Sequence, residues 1–301
     1  MLLRDILKGD DPQVEAIVAV LSARAPDVLV LTEFDYDLDG VALAGFADLF
    51  GAQYPYRFAA RPNTGLATGL DLDRNGRVGE ARDAQGYGRF AGDGGMAVLS
   101  RFPIGDVTDL SGLLWRDLPG AVLPVADGVP FLTDDVLAVQ RLSTTGHWIV
   151  PIALPDGPLA VMAFSATPPV FDGPEDRNGL RNRDELRLWE VVLDGGFGPP
   201  PDHFVIAGNA NLDPVDGDGD SAAMAAFLAR PDVQDPLPGQ DTADWPEVDG
   251  PGNLRVSYVL PSVDWRVVAA GVDWPAPGDP LFGGDGAVAG PHHLVWVDIA
   301  R

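Results

Sequence analysis

Phe204-Val205-Ile206-Ala207-Gly208-Asn209-Ala210-Asn211 decides the reading of this chain. Its first four residues form an unbroken apolar run, as expected of a strand covered on both faces. Two asparagines then follow with only small residues around them. Polar side chains delivered at the end of a buried strand are how α/β enzymes assemble their sites.

The same pattern recurs elsewhere in the chain. Asp27-Val-Leu-Val-Leu-Thr32 is a buried-strand run, and Glu33 follows it. Leu159–Phe164 leads into Ser165. Arg255–Leu260 contains Ser257, and His292 stands just before a final strand at Leu294–Ile299. Met96–Ser100 is a further apolar strand. One such polar cluster is usually a turn; a series of them points to a site. Two strands at 136–142 and 147–154 are expected as a pair joined by Ser143-Thr-Thr-Gly146. Asp10-Asp11-Pro12 starts a helix whose Val14, Ile17, Val18 and Leu21 share one face, and Pro26 ends it. Further helices are expected over Val41–Phe50, Asn182–Leu193 and Ser221–Ala229. Residues 51–92 carry Gly, Pro, Asp and Arg with little periodicity and read as one long functional or metal-stapled loop. Pro168–Asn178 reads as an ordered loop. The sum is an α/β (α+β) chain, two packed mixed sheets with helices outside, in a single domain over 1–301.

Composition narrows the function. The 301 residues carry 20 Lys+Arg against 45 Asp+Glu, a formal net charge of −25. Nucleic-acid binding rests on basic groups that neutralise phosphates, and no basic stripe offsets this charge. Divalent cations are attracted instead; an adaptation to salt would give the same balance. Cysteine is absent, which excludes disulfides, thiolate metal sites and cysteine catalysis. No apolar run approaches the roughly 18 residues of a membrane-spanning helix. Met1-Leu-Leu-Arg-Asp-Ile-Leu-Lys8 does not read as a signal peptide, because Asp5 and Lys8 break the apolar region. A soluble chain is expected, and an exported mature form stays compatible if residues were removed upstream.

Taken in order, these segments resemble the endonuclease/exonuclease/phosphatase superfamily, the Mg-dependent phosphoesterases related to DNase I. The resemblance rests on Pro26-Asp-Val-Leu-Val-Leu-Thr-Glu33, Gly95-Met-Ala-Val-Leu-Ser-Arg-Phe-Pro-Ile104, Phe204–Asn211, Arg255-Val-Ser-Tyr-Val-Leu-Pro261 and His292-His-Leu-Val295. Thr167-Pro-Pro-Val-Phe-Asp-Gly-Pro-Glu-Asp-Arg-Asn-Gly179 resembles a bacterial branch of it. The resemblance implies a four-layer sandwich of two sheets flanked by helices. It also implies a first strand ending in Asn, and no such strand stands before Asp10. Either the chain is truncated or one sheet has lost a strand.

The resemblance further implies roles. Glu33 matches the metal-binding Glu, suited to Mg²⁺ or Mn²⁺ because hard cations take carboxylate and phosphate oxygens. Asn211 matches a phosphate-holding Asn, and His292 the C-terminal His that orients phosphate or water. Three positions are substituted: Ser165 stands for a phosphate-contacting His, Asn209 for the Asp that serves the attacking water, and Ser257 for an Asp. Serine cannot titrate near neutrality and Asn is no base. Metal-dependent phosphoester hydrolysis is therefore the ancestral reaction, weakened or lost here, with a small phosphoester favoured over DNA. The alternative is a non-catalytic descendant that binds a ligand or protein through the same cleft.

Two loops offer separate cation sites. Asp71-Leu-Asp73-Arg-Asn75-Gly76 has the spacing of the first half of an EF-hand loop, with Arg82 where such loops carry Glu and Glu80 or Asp83 as substitutes. It reads as Ca²⁺ held by Asp71, Asp73 and Asn75 within 71–83, or as a plain acidic turn. Asp213–Asp220 offers Asp216, Asp218 and Asp220 for a cation, or a cap for the next helix. Asp35-Tyr-Asp37-Leu-Asp39-Gly40 has the same spacing without a late acid and reads as a solvated turn and cap. His147 and His203 read as structural residues at strand starts.

Overall fold

The computed structural model describes residues 2–245, 250–274, 279 and 288–301. The chain opens with α1 (Leu2–Lys8) and α2 (Pro12–Arg24). The seven residues of α1 are too short a window to announce a helix by periodicity. Asp11 caps α2 by accepting from the N–H groups of Gln13 and Val14, and Ala25 closes it in a left-handed conformation just before Pro26. Next come β1 (Val28–Phe34), α3 (Val41–Asp48), β2 (Tyr56–Phe58) and β3 (Gly95–Ser100). These strands form an antiparallel sheet in the order β1-β3-β2.

The middle of the chain holds β4 (Thr108–Asp109), the small hairpin β5 (Val125–Ala126) and β6 (Val129–Pro130), and α4 (Asp134–Leu137). The strand expected at 136–142 is not there. Thr133 accepts from the N–H of Val136 and caps a helical turn, so local capping overrides the alternating pattern. The expected partner is nonetheless a strand, β7 (Gly146–Leu154), and it forms a hairpin with β8 (Gly157–Ser165). Then come α5 (Arg177–Leu193), β9 (Phe204–Asn209), α6 (Ser221–Leu228), β10 (Ala243–Trp245) and β11 (Gly252–Leu254). Helix α5 begins five residues before the expected Asn182, within the segment read as loop. The chain closes with β12 (Ser257–Pro261), β13 (Arg266–Asp273) and β14 (Leu294–Ala300). Strand β12 starts two residues later than expected.

The larger sheet runs β12-β9-β8-β7-β4 and is mixed, since β8 and β9 are parallel and the other pairs antiparallel. Among the described residues β13 and β14 pair only with each other. Three apolar clusters set the layers. One lies between the larger sheet and α5 and α6, around Trp189, Ile206 and Phe227. Another joins Ile6, Leu21 and Phe46 of the first three helices to Leu29 and Leu99. The third fills the space between the sheets, with Val98, Trp148, Val161 and Val205 at its centre and Val28, Val30 and Ile299 packed on it. Helix, sheet, sheet and helix therefore stack in four layers, the DNase I-like arrangement.

Candidate active site

Backbone register brings three of the substituted positions abreast. Ser165 on β8 is the partner of Asn209 on β9, and Asn209 is the partner of Ser257 on β12. Gly208 makes this close pairing feasible: a Cβ there would stand 1.9 Å from the carbonyl oxygen of Phe164. Beyond β9, the N–H of Asn211 donates to Asn209 Oδ1 at 2.9 Å, and Asn209 Nδ2 donates to Asn211 Oδ1 at 3.1 Å. Asn211 Nδ2 donates to the carbonyl of Ala166, directly after Ser165, at 2.8 Å.

His292 joins this row from the segment ahead of β14. Its Nδ1 lies 3.3 Å from Ser257 Oγ, and Trp245 meets its ring edge-on at 5.2 Å. Burial pulls the imidazole below its ordinary pKa, while the charge of Glu33 pulls the other way. The net shift is downward, so His292 is neutral at neutral pH. Glu33 is the group whose charge opposes that shift. It is exposed, has a φ of 56°, and lies at a register irregularity between Thr32 and Phe34. Asn211, with a φ of 49°, is also left-handed. Bulges re-aim side chains, and non-glycine residues in this region concentrate at functional sites. Ser165, Asn209, Asn211, Ser257 and His292 are thus joined through strand register and hydrogen bonds.

The cleft is braced from below by residues that sequence reading passed over. Asn182 Nδ2 donates to the carbonyls of Thr167 and Ala210, both at 2.7 Å, and so ties the segments after β8 and β9 together. The Glu185 carboxylate accepts from the N–H of Thr167 at 2.8 Å and from the N–H and hydroxyl of Thr144. Arg181 donates to the carbonyls of Gln85, Arg141, Leu142 and Ser143. All three side chains are buried. Burial pushes the Glu185 carboxyl up to about 7, against the pull of Arg181 and its hydrogen bonds. The available signal was the first half of α5, Arg177 to Glu185, which lacks the apolar stripe of a surface helix. His147 is structural, as expected: it is buried on β7, with ring nitrogens at Ser143 Oγ and the Glu185 carbonyl, and burial lowers its pKa to about 3.

The 71–83 loop lies apart from the cleft residues in sequence, whereas Asp35–Asp39 and Asp213–Asp220 follow closely on Glu33 and Asn211. Asp71, Asp73 and Asp83 bring carboxylate oxygens within 4.8 Å of one another. Asp83 is one of the two acids expected to stand in for the late Glu, and Asn75 lies beside the cluster: its Oδ1 accepts from the N–H of Arg77 and its Nδ2 donates to Asp73 and Glu80. Asp71 accepts from the N–H groups of Asn75 and Gly76, and Arg82 Nη1 stands 3.1 Å from Asp73. Asp220 caps α6 through the N–H of Ala223, and Asp37 caps α3. Asp216 and Asp218 are exposed. Among the described residues they form no metal-sized cluster with Asp220.

A four-layer sandwich with amides, a histidine and one carboxylate at its strand ends is the frame of a phosphoesterase. The chain belongs to the endonuclease/exonuclease/phosphatase family, whose model matches residues 6–289. It is similar to the crystal structure of an endonuclease/exonuclease/phosphatase from Beutenbergia cavernae at 21% identity and a TM-score of 0.62. That alignment covers 96% of this chain and 66% of the other, so the chain spans about two-thirds of that protein's length. It is also similar to a humanized D. rerio TDP2, at 11% identity, a TM-score of 0.55 and coverage of 99% and 93%. Sphingomyelinase C from Streptomyces griseocarneus aligns at 17% identity, a TM-score of 0.50 and coverage of 96% and 88%. No curated protein matches the chain by sequence. Among the described residues no helix is long and apolar enough to cross a membrane.

Proposed function

We propose that the cleft binds a small phosphoester and that its hydrolytic chemistry is weakened or lost. The observation that carries this reading is the register row Ser165–Asn209–Ser257, three neutral side chains abreast where the reaction needs ionisable ones. Glu33 as a lone carboxylate, with Asn oxygens already hydrogen-bonded to each other, fits Mg²⁺ or Mn²⁺ only as an ion shared with a substrate phosphate. Such an ion would neutralise phosphate charge and favour attack by water. The protein's own part is positioning. Ser165 and Asn211 donate hydrogen bonds to phosphate oxygens, and Asn209 orients a water without taking its proton. His292, neutral and backed by a hydroxyl rather than a carboxylate, is a poor source of positive charge. A positioned acid–base group typically contributes about 10²–10⁴-fold, so its loss weighs heavily. The net charge of −25 disfavours a nucleic-acid substrate.

The test is release of nitrophenol from aryl phosphate mono- and diesters with Mg²⁺ or Mn²⁺. We expect weak or no turnover, rising in the triple variant Ser165→His, Asn209→Asp, Ser257→Asp. Robust turnover by the unaltered chain would overturn the weakened reading. A folded triple variant that neither binds nor hydrolyses any aryl phosphate would overturn the phosphoester reading itself.

We also read the 71–83 loop as a structural site for a hard cation, most simply Ca²⁺, held by Asp71, Asp73 and Asp83. Three carboxylates gathered in a segment poor in apolar periodicity support this reading.

A further inference from the structure

Strand register sets Ser165, Asn209 and Ser257 abreast, but no ladder of the larger sheet carries that row on to His292. The pairing of Asn209 with Ser257 shows where the row stops. The N–H of Ala210 donates to the carbonyl of Val256 at 2.8 Å, so Asn209 and Ser257 form a pair that exchanges no backbone bonds of its own. The N–H of Ser257 therefore points away from β9, to the outer edge of β12. Among the described residues β12 has no ladder partner on that edge.

Thr242 meets it there. Its hydroxyl oxygen accepts from the N–H of Val256 and from the N–H of Ser257, each at 2.9 Å. Its own N–H donates to the carbonyl of Leu254 on β11 at 2.9 Å. On the other side its carbonyl accepts from the N–H of His293, also at 2.9 Å. The next residue, Ala243, forms an antiparallel bridge with His292, and the N–H of Asp244 donates to the carbonyl of Pro291 at 2.9 Å. Thr242 thus bonds on one side to the start of β12 and on the other to the segment that carries the cleft imidazole. Trp245, from the same short strand, meets the ring edge-on.

The backbone bonds would form with most residues at this position. The hydroxyl is the part that the sequence chose, since only Ser or Thr places a small acceptor there. Thr242 is 1% exposed and Val256 3%, so water is a poor substitute for that oxygen. A buried N–H that loses its acceptor pays the full cost of its desolvation. The contact at stake is also fragile. Ser257 Oγ and His292 Nδ1 stand 3.3 Å apart, at the long end of hydrogen-bond geometry, and a small slip of either segment breaks it.

We propose that Thr242 is the positioning residue of the cleft: its hydroxyl seats Ser257, its backbone seats His292, and the contact between the two depends on it. Thr242 is itself closed to a ligand and acts only through these neighbours. This inference rests on the hydrogen bonds and holds whether or not the cleft turns over a phosphoester.

The test uses the full chain and NMR of the imidazole nitrogens, at one pH and in chelator. Ser257→Ala is introduced into the parent, into Thr242→Val and into Thr242→Ser. Valine keeps the shape of threonine without the acceptor, and serine keeps the acceptor. In the parent and in Thr242→Ser, removing the Ser257 hydroxyl is expected to move the His292 Nδ1 signal. In Thr242→Val the same removal is expected to leave the signal in place, because the contact is already lost. Thr242→Val should also speed amide exchange at Val256 and Ser257 by about tenfold, the worth of one ordinary hydrogen bond. A Thr242→Val chain that melts lower yet keeps the full Ser257→Ala shift would make Thr242 a packing residue and overturn the proposal. An absent shift in the parent would show that there is no contact to position, and would overturn it equally. If Thr242→Val does not fold, exchange in the parent and in Thr242→Ser decides. Slow exchange at Val256 and Ser257 in both supports the proposal; fast exchange there, with β9 still protected, overturns it.

Discussion

Ser257 Oγ lies 3.3 Å from His292 Nδ1, so the imidazole of the cleft is backed by a hydroxyl. A hydroxyl can share a proton with the ring but cannot stabilise an imidazolium as a carboxylate does. With burial lowering its pKa and only Glu33 opposing, His292 stays neutral at neutral pH.

Replacing that hydroxyl with a carboxylate should reverse the balance. Ser257→Asp is expected to raise the His292 pKa by about one pH unit. Glu33→Gln should lower it further by removing the opposing charge. An NMR titration of the imidazole reads both. A Ser257→Asp variant whose His292 titrates where it did before would show that residue 257 does not control the ring.

Asn182 holds the floor of the cleft through two carbonyls that have no other side-chain donor to replace it on α5. Asn182→Ala should cost about 1–3 kcal/mol in denaturant unfolding, the usual penalty of leaving buried polar groups unpaired. It should also speed amide exchange in 165–167 and 209–211 before exchange in β7 rises.

Glu185 makes stability depend on pH in a defined window. Its folded-state pKa, about 7, lies above the unfolded value of 4.5, so the folded chain holds a proton that the unfolded chain has released between those values. Its contribution is full below about pH 4.5 and falls as pH rises to about 7, by on the order of 3 kcal/mol. Unfolding of the parent and of Glu185→Gln, compared from pH 4.5 to 7, isolates it. The variant should lack this share of the slope, even if it is less stable throughout because its amide bonds Thr144 and Thr167 less well.

Calcium should raise the melting temperature of metal-stripped protein, and a chelator should return it, because a ligand that binds only the folded chain stabilises it by mass action. Asp83→Asn should abolish that response. It should also destabilise the loop, since the Asp83 carboxylate accepts from the N–H groups of Leu72 and Glu80. Identical melting curves in calcium and chelator would leave the loop as a self-bonded acidic turn.

Residues 1–301 as one domain should unfold in one step. Tryptophan fluorescence and far-UV circular dichroism are expected to give coincident transitions. Two separated transitions would divide the chain.

Much of this architecture was legible because its signals are local. Gly95–Ser100 and Leu159–Phe164 lie in fully covered strands, and continuous apolar runs show this directly. Asp11 and Pro12 announced α2 by the same capping chemistry that the structure displays. The miss at 136–142 was also local: Thr133 and the two aspartates after it form a cap signal that an alternating pattern obscured. The start of α5 was hidden because its polar residues are buried against loops far away in sequence, and a stripe search counts only apolar positions.

The residue types at each strand end, the strand runs that carry them and the charge that any partner must face are all written in the local chain. These follow from short-range periodicity and from composition. That Ser165, Asn209 and Ser257 stand abreast comes from the folded arrangement, because register between strands far apart in the chain is set by packing of whole sheets. It alone gathered Asp83 beside Asp71 and Asp73 and made Glu185 a buried carboxyl. Among the described residues, it alone left β1 and β14 each paired on one side. Pairing, burial and pKa depend on what long-range contacts bring alongside a residue, and a neighbour in space leaves no mark on the local pattern of the chain.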